Sequence, residues 1–180
     1  MPLWGPRIPD YKVVSNLPYY ITNAVVQLLL EAPVRPARMA LTVQREVAKR
    51  MIAQPSDMSL LAVGVQFYGV PDICLRLKRG AFYPVPRVES AVVRLDLYDI
   101  PPVPVDDIER FFQVVRAGFA QRRKQLRNSL ASTLNLLPQA VAEALETHGV
   151  DPRRRAQTLS IEEWGSVYAG LSPLLTPSAP

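Results

Sequence analysis

The sequence has few of the residues on which metal sites and disulfides depend. It contains one cysteine, Cys74, and one histidine, His148, among 180 residues. A single cysteine cannot form a disulfide within the chain, and this usage favours a reducing compartment such as the cytoplasm. One cysteine and one histidine far apart in sequence do not predict a transition-metal site. Cys74 is predicted to be a small buried strand residue, and His148 to be a surface or capping residue.

Long apolar runs, a signal-peptide pattern and internal repeats are also missing. No run approaches the length that crosses a bilayer, so we expect no association with a membrane. The chain has no G-x-G-x-G run either. The glycine-rich loop with which many nucleotide-binding folds hold their cofactor is therefore not encoded in these residues.

Basic residues and prolines are abundant. The 21 lysines and arginines exceed the 16 acidic residues, and the net charge of +5 favours a polyanionic partner. The 18 prolines fall at turns and are densest in residues 99–104, which predicts a stiff linker. Strand and helix patterns alternate before this linker, and helical periodicity continues after it. We therefore predict an α/β domain over residues 1–98, a small helical domain over 105–172 and a tail over 173–180.

Four strands are predicted in the first domain, over residues 12–15, 38–43, 72–78 and 91–98. The second is apolar enough to be central in a parallel sheet. A hairpin-like connection joins the third to the fourth. In the helical domain, Gly118 is predicted to divide a long amphipathic pattern into two helices.

The stretch Asn16-Leu17-Pro18-Tyr19 follows the first predicted strand. The carboxyl ends of strands are where open α/β folds place their ligands. The Asn16 amide offers a donor and an acceptor, and the Tyr19 ring offers a flat face to a base. Taken alone, these four residues favour a structural turn, because turns rich in Asn and Pro are common.

Two further stretches change that interpretation. Residues 80–95 hold the run Phe82-Tyr83-Pro84-Val85-Pro86, which predicts a loop leading into an alternating strand. Residues 119–130 are rich in basic side chains and are predicted to be helical. Together with Asn16-Leu17-Pro18-Tyr19, in this order, they resemble the rRNA adenine N6,N6-dimethyltransferase family. The resemblance extends from about Val13 to about Leu171.

The resemblance implies a Rossmann-like methyltransferase sheet and S-adenosylmethionine as the cofactor. It implies that the Asn16 side chain and the carbonyl of Leu17 or Pro18 accept hydrogen bonds from the adenine amine. Tyr19 would stack on the base and Phe82 would close its other face. Asn16 and Pro18 would also border the cofactor. For Phe82 alone, a structural loop aromatic is an equally good interpretation.

The sequence departs from the family in lacking the glycine-rich loop and the acidic strand end that precede Asn16. The chain therefore resembles the C-terminal portion of the enzyme, with a partial sheet. Its first strand would then lie at an exposed edge. We expect a fragment or truncated gene product, or an edge covered by a second copy of the chain or by residues 1–11.

The basic segment predicts contact with RNA. Residues 110–128 hold six basic side chains and no acidic one, whereas a solvated helix face normally mixes both signs. The run Arg153-Arg154-Arg155 is a possible extension. The resemblance implies small-subunit rRNA in a pre-ribosomal particle as the partner. The alternative function is a non-catalytic RNA-binding or ribosome-assembly module. The candidate phosphate-contacting residues are Arg116, Arg122, Arg123, Lys124 and Arg127.

Overall fold

The computed structural model describes residues 11–175. Contacts within the chain separate these residues into two compact units. The first consists of the chain up to Ala53 together with Gly64–Pro101, and the second of Gln54–Val63 together with the chain from Pro102 onward. The division at Pro101 falls within the proline-rich stretch 99–104. Nothing in the sequence pattern indicated that residues 54–63 belong with the helical part.

The first unit is built on a four-stranded sheet. Strands β1 and β2 are parallel, and β4 is antiparallel to both of its neighbours, β2 and β3. The order across the sheet is β1-β2-β4-β3. The α/β class predicted from the sequence is thus confirmed, with β2 in a central position. The strands are β1 (Lys12–Asn16), β2 (Arg38–Gln44), β3 (Gly69–Leu77) and β4 (Ser90–Leu97).

The two central strands, β2 and β4, show period-two burial. In β2, Met39, Leu41 and Val43 are buried, and in β4 Val93 and Leu95 are buried, so each strand turns one apolar row inward. The helices α1 (Thr22–Glu31) and α2 (Arg45–Met51) belong to the first unit. The helix α3 (Leu60–Tyr68) begins in the segment assigned to the second unit and continues into the first.

Cys74 is exposed, which corrects the prediction that it is buried. The pairing of β3 with β4 shifts in register between Ile73 and Leu75, so Cys74 is the extra residue of a β-bulge. A bulge interrupts the alternation of inward and outward side chains. Period-two alternation, on which the prediction rested, therefore does not hold at this position.

Strand β1 lies at an edge of the sheet. Within residues 11–175 it pairs only with β2, and Val14 in its middle is 84% exposed. An edge strand presents a row of backbone groups that another strand can pair with.

The second unit is helical. Its core surrounds Trp164, which is fully buried together with Phe111, Leu130 and Leu145. Phe111 and Tyr168 meet edge to face, with ring centroids 5.9 Å apart. The helices are α4 (Ile108–Phe119), α5 (Leu126–Leu134), α6 (Pro138–Thr147) and α7 (Ile161–Leu171).

Gly118 lies inside α4 and does not end it, contrary to the prediction. A Cβ at this position would lie 2.4 Å from Cη2 of Trp164, so the glycine is required by close packing. The chain leaves the helix only after Phe119. The segment predicted to be a basic helix is therefore a turn over residues 120–125 followed by α5.

The described residues contain no helix that is both long enough and apolar enough to span a bilayer.

Candidate functional site

The topology of the first unit brings three distant parts of the chain to one end of the sheet, the end at which β1 and β2 finish. This end is called the carboxyl edge below. The parallel strands β1 and β2 both end there, at Asn16 and Gln44. Because β4 runs the other way, it begins at this edge, with Ser90 opposite Gln44 and Leu77. The chain that connects β3 to β4 must therefore cross close to the end of β1.

A cleft of about 300 Å³ opens at this edge. Asn16 is exposed at its mouth, and Tyr19 and Phe82 are half-buried. The structure thus brings together the five residues that the sequence singled out for catalysis. The cleft is lined by Asn16, Leu17, Pro18, Tyr19, Phe82, Tyr83, Pro84 and Pro86.

The Tyr19 ring is held from behind by Ser90. The phenol oxygen and Ser90 Oγ form a hydrogen bond of 2.5 Å, and Ser90 is fully buried. This bond spans 71 residues of sequence. Ser90 lies within the stretch 80–95, but the sequence pattern assigned it no role. A serine at the start of an apolar strand was the only indication, and such a residue is more often a strand terminus.

The backbone after Asn16 distinguishes two candidate acceptors. The Pro18 carbonyl accepts the Ile21 N–H at 3.1 Å and the Thr22 hydroxyl at 3.4 Å, so it is engaged by the turn that leads into α1. The neighbouring residue Leu17 lines the same cleft. Of the two alternatives left by the sequence, Leu17 is the better acceptor for a ligand.

The loop that carries Phe82 is anchored at both ends. The Phe82 N–H donates to Arg79 O at 3.3 Å. On the other side, the Arg45 N–H donates to Glu89 O at 3.0 Å and its guanidinium pairs with the Glu89 carboxylate. Proline at positions 84 and 86 fixes two φ angles between these anchors. The loop is therefore restricted in its flexibility where it lines the cleft with Asn16, at the end of β1.

The functional groups that line the cleft limit the chemistry that it can perform. Its lining includes an amide, two phenols, prolines and a phenylalanine, and no carboxylate, imidazole or amine. Such groups can form hydrogen bonds with a ligand and stack on a flat ring. The described residues also contain no group of histidine, cysteine and acidic side chains able to hold a metal ion.

The predicted RNA-binding residues lie in the second unit. Arg122, Arg123 and Lys124 are exposed in the turn between α4 and α5, and Arg116 is exposed on α4. Arg127 is half-buried at the start of α5, and its Nε lacks a hydrogen-bond partner among the described residues.

Arg154 does not belong to this basic surface, which corrects part of the extension suggested by the Arg153-Arg154-Arg155 run. Its guanidinium pairs with Glu163, with Nη2 3.0 Å from Oε2, and also bonds to Thr158. Arg153 is paired with Asp151 at 3.1 Å. The carboxylate of Glu163 has its pKa lowered, chiefly by the hydrogen bond from Arg154.

Comparison with known proteins identifies the family to which this chain belongs. The model of the family "Ribosomal RNA adenine dimethylase" matches residues 8–172. The chain belongs to the ribosomal RNA adenine dimethylase family. Within it, a "Ribosomal RNA small subunit methyltransferase A" of Dehalococcoides mccartyi is 48% identical over 160 residues, which are 89% of this chain and 55% of the relative. The protein of that name from Moorella thermoacetica is 47% identical over 163 residues, 89% of this chain and 56% of the relative.

Solved structures show the fold of the family. A dimethyladenosine transferase from Plasmodium falciparum superposes with a TM-score of 0.78 at 19% identity, covering 92% of this chain and 68% of that one. The 23S rRNA methyltransferase ErmE gives 0.69 at 26% identity, covering 93% and 68%. The chain therefore spans a little over half the length of the curated relatives named above.

Proposed function

We propose that this chain carries the adenine-binding and RNA-contacting parts of an S-adenosylmethionine-dependent rRNA adenine N6,N6-dimethyltransferase. The observation that supports the proposal most directly is the cleft in which Asn16, Tyr19 and Phe82 meet. An enzyme that acts on a base must take it out of its stack and hold it in a pocket. The two aromatic residues supply stacking surfaces, and the exposed amide supplies the polar contact.

The chemistry of adenine explains why an acceptor pair is needed. The N6 lone pair is delocalised into the ring, which makes the amine a poor nucleophile. In the proposal, Asn16 Oδ1 and the Leu17 carbonyl each accept one N6–H bond and so localise the lone pair on nitrogen. Positioning and polarisation then supply the catalysis without an acid or base of tuned pKa.

S-adenosylmethionine would supply the electrophilic methyl group. The exposed Asn16 amide and the Pro18 ring, at the carboxyl end of an edge strand, fit the border of such a site, where a polar and an apolar contact are both needed. The sequence has no glycine-rich loop, so these residues account for only a part of a cofactor site.

Ribosomal RNA is the proposed partner, in particular small-subunit rRNA within a pre-ribosomal particle. The exposed cations of the turn 120–125 support contact with phosphates, which would depend on salt. Ribosome assembly would place the chain in the cytoplasm. Among residues 11–175, β1 pairs on one side only, which supports a further proposal, self-association or pairing with another strand.

A binding experiment with a matched control tests the proposal. Asn16→Ala should weaken binding of a short single-stranded RNA containing one adenine by about 1 kcal/mol for a lost hydrogen bond, which is roughly fivefold. Asn23→Ala should leave binding unchanged, because Asn23 is an equally exposed asparagine outside the cleft. Equal effects of the two substitutions would contradict the proposal.

Calorimetric titration with S-adenosylmethionine separates the enzyme from the alternative, a non-catalytic RNA-binding module. Micromolar binding supports the enzyme. No binding at millimolar cofactor, with RNA binding retained, supports the module. The missing glycine-rich run is the observation that keeps this alternative in view.

A further inference from the structure

Tyr83 is a fully exposed aromatic residue beside the cleft. Its side chain is 100% exposed, although the residue contributes to the cleft lining next to the half-buried Phe82. A side chain that remains in water on folding contributes no burial energy. Packing within the first unit therefore does not explain this large ring at the rim of the cleft.

The loop that presents Tyr83 carries an unneutralised positive charge. Residues 76–88 include four cations and no acidic residue. All four side chains are exposed, and the ion pairs recorded among residues 11–175 involve none of them. The acidic residue that follows, Glu89, is already paired with Arg45. The four cations are Arg76, Lys78, Arg79 and Arg87.

Chain geometry keeps the charges close to the ring. Arg79 begins the short 3-10 helix that ends at Ala81, one residue before Phe82. Arg87 directly follows Pro86, the last lining residue of the loop. A ring flanked on both sides by cations is the combination with which proteins bind single-stranded nucleic acid, since bases stack on the ring and phosphates meet the cations.

We propose that Tyr83 stacks on the nucleotide next to the adenine held in the cleft, and that Lys78, Arg79 and Arg87 contact the adjoining phosphates. This subsite rests on the proposed function and extends it to a neighbouring nucleotide. The ligand must be single-stranded at that position, because only an unstacked base offers a free face. Stacking tolerates every base, so the subsite reads strand geometry and not sequence.

Fluorescent RNA tests the subsite with the full chain. The probe is a uridine-rich oligonucleotide with one adenine and pyrrolocytidine, a fluorescent pyrimidine, on its 5′ side in one version and its 3′ side in another. Wild-type protein should quench one of the two. Tyr83→Ala should abolish that quenching and raise Kd about 5- to 150-fold, the range measured for a lost base stack. Tyr83→Phe should preserve both, because stacking needs the ring and not the hydroxyl.

Tyr20→Ala is the matched control. Tyr20 is 89% exposed but does not line the cleft, so its removal should leave quenching and Kd at the wild-type values. If Tyr83→Ala leaves quenching and Kd unchanged, or if Tyr20→Ala reduces quenching and raises Kd equally, the subsite is refuted.

A second probe keeps this failure distinct from failure of the proposed function. An oligonucleotide with 8-vinyladenosine in place of the adenine reports on the cleft itself, because this fluorescent base keeps the N6 amine. Quenching of 8-vinyladenosine together with wild-type quenching and Kd in the Tyr83→Ala variant overturns the subsite alone. Absence of 8-vinyladenosine quenching at saturating wild-type protein overturns the proposed function, and the subsite with it.

Discussion

The hydroxyl of Tyr19 connects the candidate base-binding cleft to the buried core of the first unit. Its partner, Ser90 Oγ, is inaccessible to water, so loss of either group leaves the other without a bond. An unsatisfied polar group in such a place is costly. The bond limits rotation of the Tyr19 side chain. We therefore propose that Ser90 positions this ring for a bound base.

A double-mutant cycle tests the role of Ser90. Tyr19→Phe and Ser90→Ala should each weaken binding of an adenine-containing single strand. Their combination should cost less than the sum, with a coupling energy of about 1 kcal/mol. Titrations of the four proteins measure this energy. Strict additivity would show that the hydroxyl pair does not hold the ring.

Two helical glycines, Gly118 in α4 and Gly64 in α3, allow a matched test of how closely their surroundings are packed. Gly118→Ala places a methyl group 2.4 Å from the Trp164 ring, and overpacking of about 1–3 kcal/mol should exceed the helical gain of at most about 1 kcal/mol. Gly64→Ala meets no atom within 4 Å and should be neutral or stabilising. Denaturant unfolding measures both, and a more stable Gly118→Ala variant would contradict this packing.

Residue-level features were predictable where they depend on local pattern and not where they depend on tertiary contacts. Pro138 begins α6, and Gly149, with φ of +76°, follows the end of that helix. Short-range preferences alone favour proline and glycine at these two positions. Cys74 and Gly118 were misread because a bulge and a tryptophan from a distant helix decide them. Ser90 was missed for the same reason.

At the scale of the element, α7 combines a capping box with an ion pair. Ser160 Oγ accepts the Glu163 N–H, and the Glu163 carboxylate accepts the Ser160 N–H at 2.8 Å. The same carboxylate pairs with Arg154. Both partners lower the pKa of Glu163 below its ordinary 4.5, with Arg154 the larger cause.

A pH titration of stability follows from this arrangement. Because the pKa of Glu163 is lower in the folded chain, the unfolded chain binds a proton first as the pH falls. The stabilisation is therefore present above about pH 4.5 and lost as the pH drops through the folded pKa. Glu163→Gln retains a capping acceptor but loses the charge, so its unfolding free energy should vary less between pH 5 and roughly pH 3. An equally steep profile would contradict the ion pair.

The turn between α4 and α5 is the element assigned to phosphate contact. The slope of log K against log salt is negative. Replacing Arg122, Arg123 and Lys124 by glutamine should make it less negative by about 2, at about 0.7 for each contact to a single strand. Arg153→Gln is the control, since that guanidinium is paired with Asp151. Binding isotherms at several salt concentrations measure the slope, and an unchanged slope would remove the turn from the interface.

Strands and helices of the chain were predicted more reliably than their ends. Apolar composition marked β2 and alternation marked β4, and the predicted bounds differ from the observed ones by one residue at an end. The basic stretch after Phe119 was predicted as helix because its composition is helical, yet Gln121–Lys124 close a turn whose first amide is held by Ser129 Oγ. That contact is not visible in a local window.

At the scale of the whole molecule, topology explains how a function can be encoded in separated motifs. The antiparallel insertion of β4 beside β2 brings Ser90 and the loop before it to the same edge as Asn16. Three short motifs of the sequence were enough to predict the family, and the match over residues 8–172 confirms it. Sheet order and the assignment of residues 54–63 to the helical unit required the structure.

The central claim is that the cleft holds an adenine between Tyr19 and Phe82. Nuclear Overhauser contacts between the base and the protein test it most directly, with the chain saturated by a short single strand containing one adenine. The account predicts contacts from adenine H2 and H8 to the ring protons of both residues. It also predicts a change in the chemical shift of the Asn16 side-chain amide. Saturable RNA binding with adenine contacts to neither ring would contradict it.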